Sequence, residues 1–155
     1  MNLPQYQYRG AAALIALQDR FLREFVAFWR QAKAAGLQLP QNTGDPSYDS
    51  LEALLRHILR AARGYLTWIC EKLELPDPQV IPTWEEYEIE KHADEYLDHL
   101  AERWAAPLKD IPEQRYFDQT YLSRWKAPYT IEEMLEHAVA HPLRHTYQLE
   151  RLMGR

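Results

Sequence analysis

Cysteine is almost missing from this chain of 155 residues: Cys70 stands alone, so no intrachain disulfide can form. That suits a reducing compartment. An excess of positive charge is missing too, since 18 Lys and Arg face 23 Asp and Glu for a net charge of −5. The cations are scattered, which leaves neither a broad basic face for nucleic acid nor a polybasic patch for an anionic membrane. Long hydrophobic runs are absent as well. The longest, AAALIAL at 11–17, is far too short to span a bilayer, and no basic segment of a secretory leader precedes it. Repeats, low-complexity tracts and a convincing strand pattern are also lacking. Together these absences predict a mature, soluble, cytoplasmic protein without nucleic-acid or membrane partners.

What is present fits one domain over residues 1–155. The composition, 46% hydrophobic and 26% charged, is ordinary for a globular chain long enough to bury a core. Four segments carry helical periodicity. The first runs from about Ala11 to Ala35, with Leu14, Leu17, Phe21, Phe25 and Phe28 on one face. Asp49 with Glu52 caps the second, which reaches about Leu75 with Leu51, Leu54, Leu55, Ile58, Ala62, Tyr65, Ile69 and Leu73 inward. Thr83 and Glu86 make a capping box for the third, which carries Ile89, Ala93, Tyr96, Leu97, Leu100 and Trp104 to about Ala105. A connector of about two dozen residues follows, long enough for a crossover or a short strand pair. Thr130 and Glu133 box the last helix, with Tyr129 and Met134 as its hydrophobic staple. The fold class is all-α, a four-helix bundle.

The last helix holds the chemistry. In HAVAHPLRH, His137, His141 and His145 recur every fourth residue and Pro142 follows the middle one. Residues four apart on a helix stack one above the other, close enough for two rings to reach a single ion. By helical angle His145 falls within the apolar arc and His141 at its margin, while His137 lies further round as a solvent or supporting residue. His57, on the flank of the second helix beside Ala61 and Gly64, is one more candidate. Three neutral imidazoles on two facing helices suit a divalent transition metal, Zn²⁺ or Ni²⁺ foremost, and leave a coordination position open. Pro142 is either a tolerated kink or a device that re-aims His141 and His145. His92 and His99 read as ordinary hydrogen-bonded residues, and Cys70 as a half-buried structural thiol away from the site.

APYTIEEMLEHAVAHPLRHTYQLERL resembles the last helix of the DinB/YfiT-like superfamily of four-helix-bundle metalloenzymes. His141, His145 and Gln148 fill that helix's characteristic positions, and LLRHILRAARGYL places His57 like the family's third ligand. Thr146 and Tyr147 depart from the arginine and glycine often found there, and His137 is not a usual ligand. The resemblance implies metal ligation by His57, His141 and His145. It also implies a transfer or isomerisation of a small-molecule substrate using a low-molecular-weight thiol, and a homodimer. Tyr65, Trp68 and Arg144 are candidate pocket residues, though each reads first as a structural residue. The competing reading is a non-catalytic dimeric bundle, a binding or stress-response interaction module whose aromatic residues supply the surface.

Overall fold

The computed structural model describes residues 5–155. Four helices dominate it: α1 (Arg9–Ala34), α2 (Leu51–Lys72), α3 (Glu86–Ala105) and α4 (Ile131–Leu152). The connector before α4 does contain a strand pair, of two residues each. β1 (Tyr121–Leu122) and β2 (Pro128–Tyr129) run antiparallel, with Tyr121 opposite Tyr129.

Side-chain contacts between helices fix their directions. Tyr8 at the start of α1 donates a hydrogen bond to Glu132 at the start of α4, and Arg155 beyond the end of α4 lies over Phe28 near the end of α1. These two helices are therefore parallel. Lys33, late in α1, pairs with Glu52 and Glu90, which open α2 and α3, so both of those helices run the other way. The order is up, down, down, up. The crossover this requires is made between α2 and α3 by residues 73–85, rather than by the longer connector before α4. Three anchors hold that return path to the helices it passes. Arg63 Nε donates to the Val80 carbonyl at 2.9 Å, the Ile81 N–H donates to His99 Nε2 at 3.0 Å, and the Tyr96 hydroxyl donates to the Ile81 carbonyl at 2.7 Å.

Helix ends follow local chemistry in two of three cases differently from the sequence reading. α4 has its capping box as expected, Thr130 accepting from the Glu133 N–H at 3.1 Å while Glu133 accepts from the Thr130 N–H at 2.7 Å. At α2 the cap is Ser50, whose Oγ accepts from the Ala53 N–H at 2.9 Å, because Asp49 is held at the end of a preceding 3₁₀ turn. At α3 no side chain caps the end: Glu85 occupies the position, and Thr83 lies outside the helix. Arg56 draws this corner to α2 instead, with bonds to the Trp84 carbonyl and the Glu85 carboxylate.

The inward residues expected of α2 and α3 are all buried. Of the face expected of α1, Phe25 and Phe28 are buried but the rest is not. Leu17 is exposed and Leu14 and Phe21 only half-buried, whereas Gln18, Leu22, Val26 and Trp29 are buried. α1 packs against α4 and α3 together, so its buried arc is broad, and polar Gln18 within that arc hides its true centre. Trp29 anchors the arc by donating from Nε1 to the Leu51 carbonyl at the head of α2.

Replacing Thr130 by Ala removes a two-way cap and should cost about 1 kcal/mol of unfolding free energy in urea. The same change at Thr83 should stay within about 0.5 kcal/mol of zero, as for surface substitutions generally. Equal losses at both positions would contradict the cap assignment.

Candidate metal centre

α2 and α4 cross antiparallel, and their apolar stripes set the register. Packing of Ile58 and Ala62 on one side, and of Ala138, Pro142 and Leu149 on the other, leaves His57 opposite His141 and His145. The rings converge, with centroids 4.9 Å apart for His57–His141, 5.5 Å for His57–His145 and 4.8 Å for His141–His145. One ligating atom from each lies within 4.8 Å of the others, so these three histidines can hold a metal ion. His141 and His145 are buried and His57 is half-buried. Pro142 is buried within a helix that continues through it, and the Thr146 hydroxyl donates to its carbonyl at 3.0 Å.

His57 Nε2 and His141 Nε2 lie 3.1 Å apart. Ligands about 2.0–2.1 Å from a tetrahedral ion stand roughly 3.4 Å from each other, so this pair needs little adjustment. His145 Nδ1 is buried and has no hydrogen-bonding partner among the described residues. Such an orphan is costly, and a cation or a water in contact with that nitrogen would relieve it. The residues present fit a divalent ion.

Around the trio there is little negative charge. Burial, reinforced by the neighbouring histidines and then by Arg144, pushes His141 down to about 2. Burial and His57 push His145 down to about 4, with Gln148 and Asp45 opposing. His57 is lowered by burial too, Asp45 again opposing. All three imidazoles are therefore neutral at neutral pH, which is the form that donates a lone pair to a metal.

His137 does not join the cluster. Its ring stacks on Trp125 at 4.9 Å and meets Tyr65 and Tyr129 edge-on, a snug aromatic box one turn from His141. His99 accepts a backbone hydrogen bond, as noted, and His92 stacks on Trp84 at 3.9 Å. Cys70 is fully buried rather than half-buried, and burial pushes its thiol up to about 11. A buried thiol held in its protonated form is a poor nucleophile.

His57 also lines a cleft of about 710 Å³ outside the trio. Tyr65 and Trp68 line it, as the sequence suggested, but Arg144 is exposed on α4 and does not. Sequence reasoning missed the loop before α2. Ser47 Oγ sits 3.3 Å from His57 Nδ1, and the Tyr48 ring lies 5.9 Å from that of His145. Nothing in TGDPSYD marks these residues beforehand, because their position follows from the 3₁₀ turn that seats the loop against α2.

Depressed histidine pKa values carry a stability consequence of definite sign. Unfolded histidine takes up its proton near pH 6.5. The folded metal-free protein does not, so its stability is complete above that pH and is lost as pH falls toward the lowered values. In chelator, the thermal midpoint should hold steady from pH 8 to about 6.5 and then decline toward pH 5, ahead of carboxylate titration. His145→Gln should flatten that decline. A midpoint unchanged between neutrality and pH 5 in the parent protein would show the imidazoles to be better solvated than the structure has them.

No curated protein and no solved structure matches the chain. A family model does, over residues 23–154. It spans all of α2, α3 and α4, and with them His57, His141 and His145. The chain belongs to the DinB family.

Proposed function

We propose that this protein is a metal-dependent enzyme that transfers or isomerises a small electrophile using a low-molecular-weight thiol. The observation that carries the reading is the convergence of three neutral imidazoles at the edge of a cleft large enough for a small molecule. His57, His141 and His145 would hold the ion, and neither His137 nor Cys70 takes part. A divalent ion with three neutral ligands keeps its charge and an open position, and so favours the deprotonated form of a thiol brought to it.

The chain's own residues do the rest. Ser47 orients the His57 ring from its far side. Tyr65 is buried between His137 and His141, and burial holds its phenol well above the usual range, so it packs the rings rather than moving protons. Trp68, held by a bond from Nε1 to the Leu122 carbonyl, gives the cleft an apolar wall against water. With Cys70 so poor a nucleophile, the reacting sulfur has to arrive with a ligand. The proposal includes a homodimer, supported by Leu143 and Tyr147, which stand exposed four residues apart on α4.

Protein purified without a nickel column and loaded with zinc should carry about one ion per chain, as a three-ligand site does. His57→Ala, His141→Ala and His145→Ala should each lose most of it, whereas His137→Ala should keep it. Ser47→Ala should weaken metal affinity about tenfold, the usual loss when a ligand's outer hydrogen bond is removed. Turnover of a generic electrophile with a small thiol should disappear in His145→Ala while circular dichroism stays helical. Metal retained in His57→Ala but lost in His137→Ala would overturn the ligand set. A metal-loaded protein that neither turns over nor binds any small thiol would leave the binding-module reading in its place. Light scattering that shows a monomer across the micromolar range would remove the dimer.

A further inference from the structure

The charge of the cleft is opposite to that of the protein. The chain as a whole has a net charge of −5, yet Arg56, Arg60, Arg63 and Arg124 line the cleft against only Glu85 and Glu86. Two of the arginines have structural duties. Arg56 pairs with Glu85 at 3.1 Å, and Arg63 donates to the Val80 carbonyl. Arg60 and Arg124 have no carboxylate partner among the described residues. Arg60 lies one helical turn beyond His57 and its charge bears on that ring.

Arg124 comes from elsewhere in the chain and is held there by a built turn. Between β1 and β2 the Ser123 N–H donates to the Ala127 carbonyl at 2.8 Å, and the Ala127 N–H donates to Ser123 Oγ at 3.0 Å. Ser123 is buried, and Trp68 ties the adjoining Leu122 to α2. The turn thus carries Arg124 across α2, over Gly64. A Cβ at position 64 would stand 2.9 Å from Arg124 Nη1 and would meet no other residue within 4 Å. A glycine costs helix stability in mid-α2, and what its missing side chain makes room for is this guanidinium.

We propose that Arg60 and Arg124 form an anion subsite in this cleft, which binds the carboxylate groups of a small molecule whose other end reaches the His57 edge of the metal centre. A guanidinium presents paired donors that match a carboxylate, and one without a counter-ion in a concave site favours an anionic ligand. The volume suits a molecule of about tripeptide size. The inference deepens the thiol reading and rests on it for the ligand's orientation, whereas the contact between carboxylate and arginine stands on the cleft alone.

Calorimetry on the zinc-loaded protein tests it with three probes: glutathione, S-methylglutathione and glutathione diethyl ester. Glutathione should bind, the diester should bind at least about tenfold more weakly, and Arg60→Gln or Arg124→Gln should each lower glutathione affinity by a similar factor. Neither substitution should change zinc content or the affinity for the diester. Gly64→Ala gives a sharper reading, because it removes no charge and replaces a poor helix former by a good one. It should raise the thermal midpoint and still weaken glutathione, by pushing Arg124 off its seat. S-methylglutathione separates the two ideas. If it binds as tightly as glutathione, with the same dependence on arginine, the subsite stands and the thiol reading fails. Equal affinity for acid and ester, unchanged binding in both arginine variants, or no binding of either carboxylate probe would overturn the subsite.

Discussion

Three imidazole rings meet where α2 crosses α4, and almost nothing of opposite charge accompanies them. Each ring nitrogen there has to be satisfied by a proton, a neighbour, a water or a cation. Burial disfavours a second proton on His141 and His145, which stay neutral down to about 2 and 4. Ser47 meets one nitrogen of His57, and His145 Nδ1 meets nothing among the described residues. Much of the surrounding architecture serves to keep these polar rings together in an otherwise apolar seam. The loop at residues 45–48 closes one side, and the aromatic box of Tyr65, Trp125 and Tyr129 around His137 closes another. Without the α2–α4 contact His57 would be separate from His141 and His145, and all three rings would be solvated.

The up-down-down-up order matters to the site as well as to the fold. Because α4 runs antiparallel to α2, moving along α2 from His57 to Tyr65 means moving back along α4 from His145 to His137. The same geometry lays the histidine trio and the aromatic box end to end along one seam. The crossover connector then passes over α2 and supplies one cleft wall, and the β1–β2 turn supplies another. A cleft therefore opens at His57, the least buried of the three rings. His141 and His145 lie behind it, and His57, Arg60 and Arg124 line it.

Much of this is legible in the chain itself. The four-residue spacing of His141 and His145 pairs them, and their angle relative to Leu135, Ala138 and Leu149 places His145 inward and His141 at the margin; both are buried. The same angle turns His137 further round, and its ring lies outside the cluster of three, half-buried in the aromatic box rather than in solvent. α1 was read less well, because Gln18 interrupts the apolar pattern and Leu17 imitates a core position that faces solvent. The caps of α2 and α3 were misplaced for a local reason. Asp49 and Thr83 both sit at credible spacings from a glutamate, but a 3₁₀ turn and a crossover connector had already committed the backbone around them.

The sequence by itself determined the helices, the identity of the clustered histidines and the four-helix class, because periodicity and side-chain chemistry are local properties. The direction of α3, the burial of Cys70 and the composition of the cleft belong to the tertiary structure. Arg124 and His57 are 67 positions apart in the chain, and no spacing rule relates them. They line one cleft because Trp68 fastens the β1–β2 turn to α2 and Gly64 leaves room for a guanidinium. Only packing could decide that, since it depends on surfaces that do not exist until the helices have met.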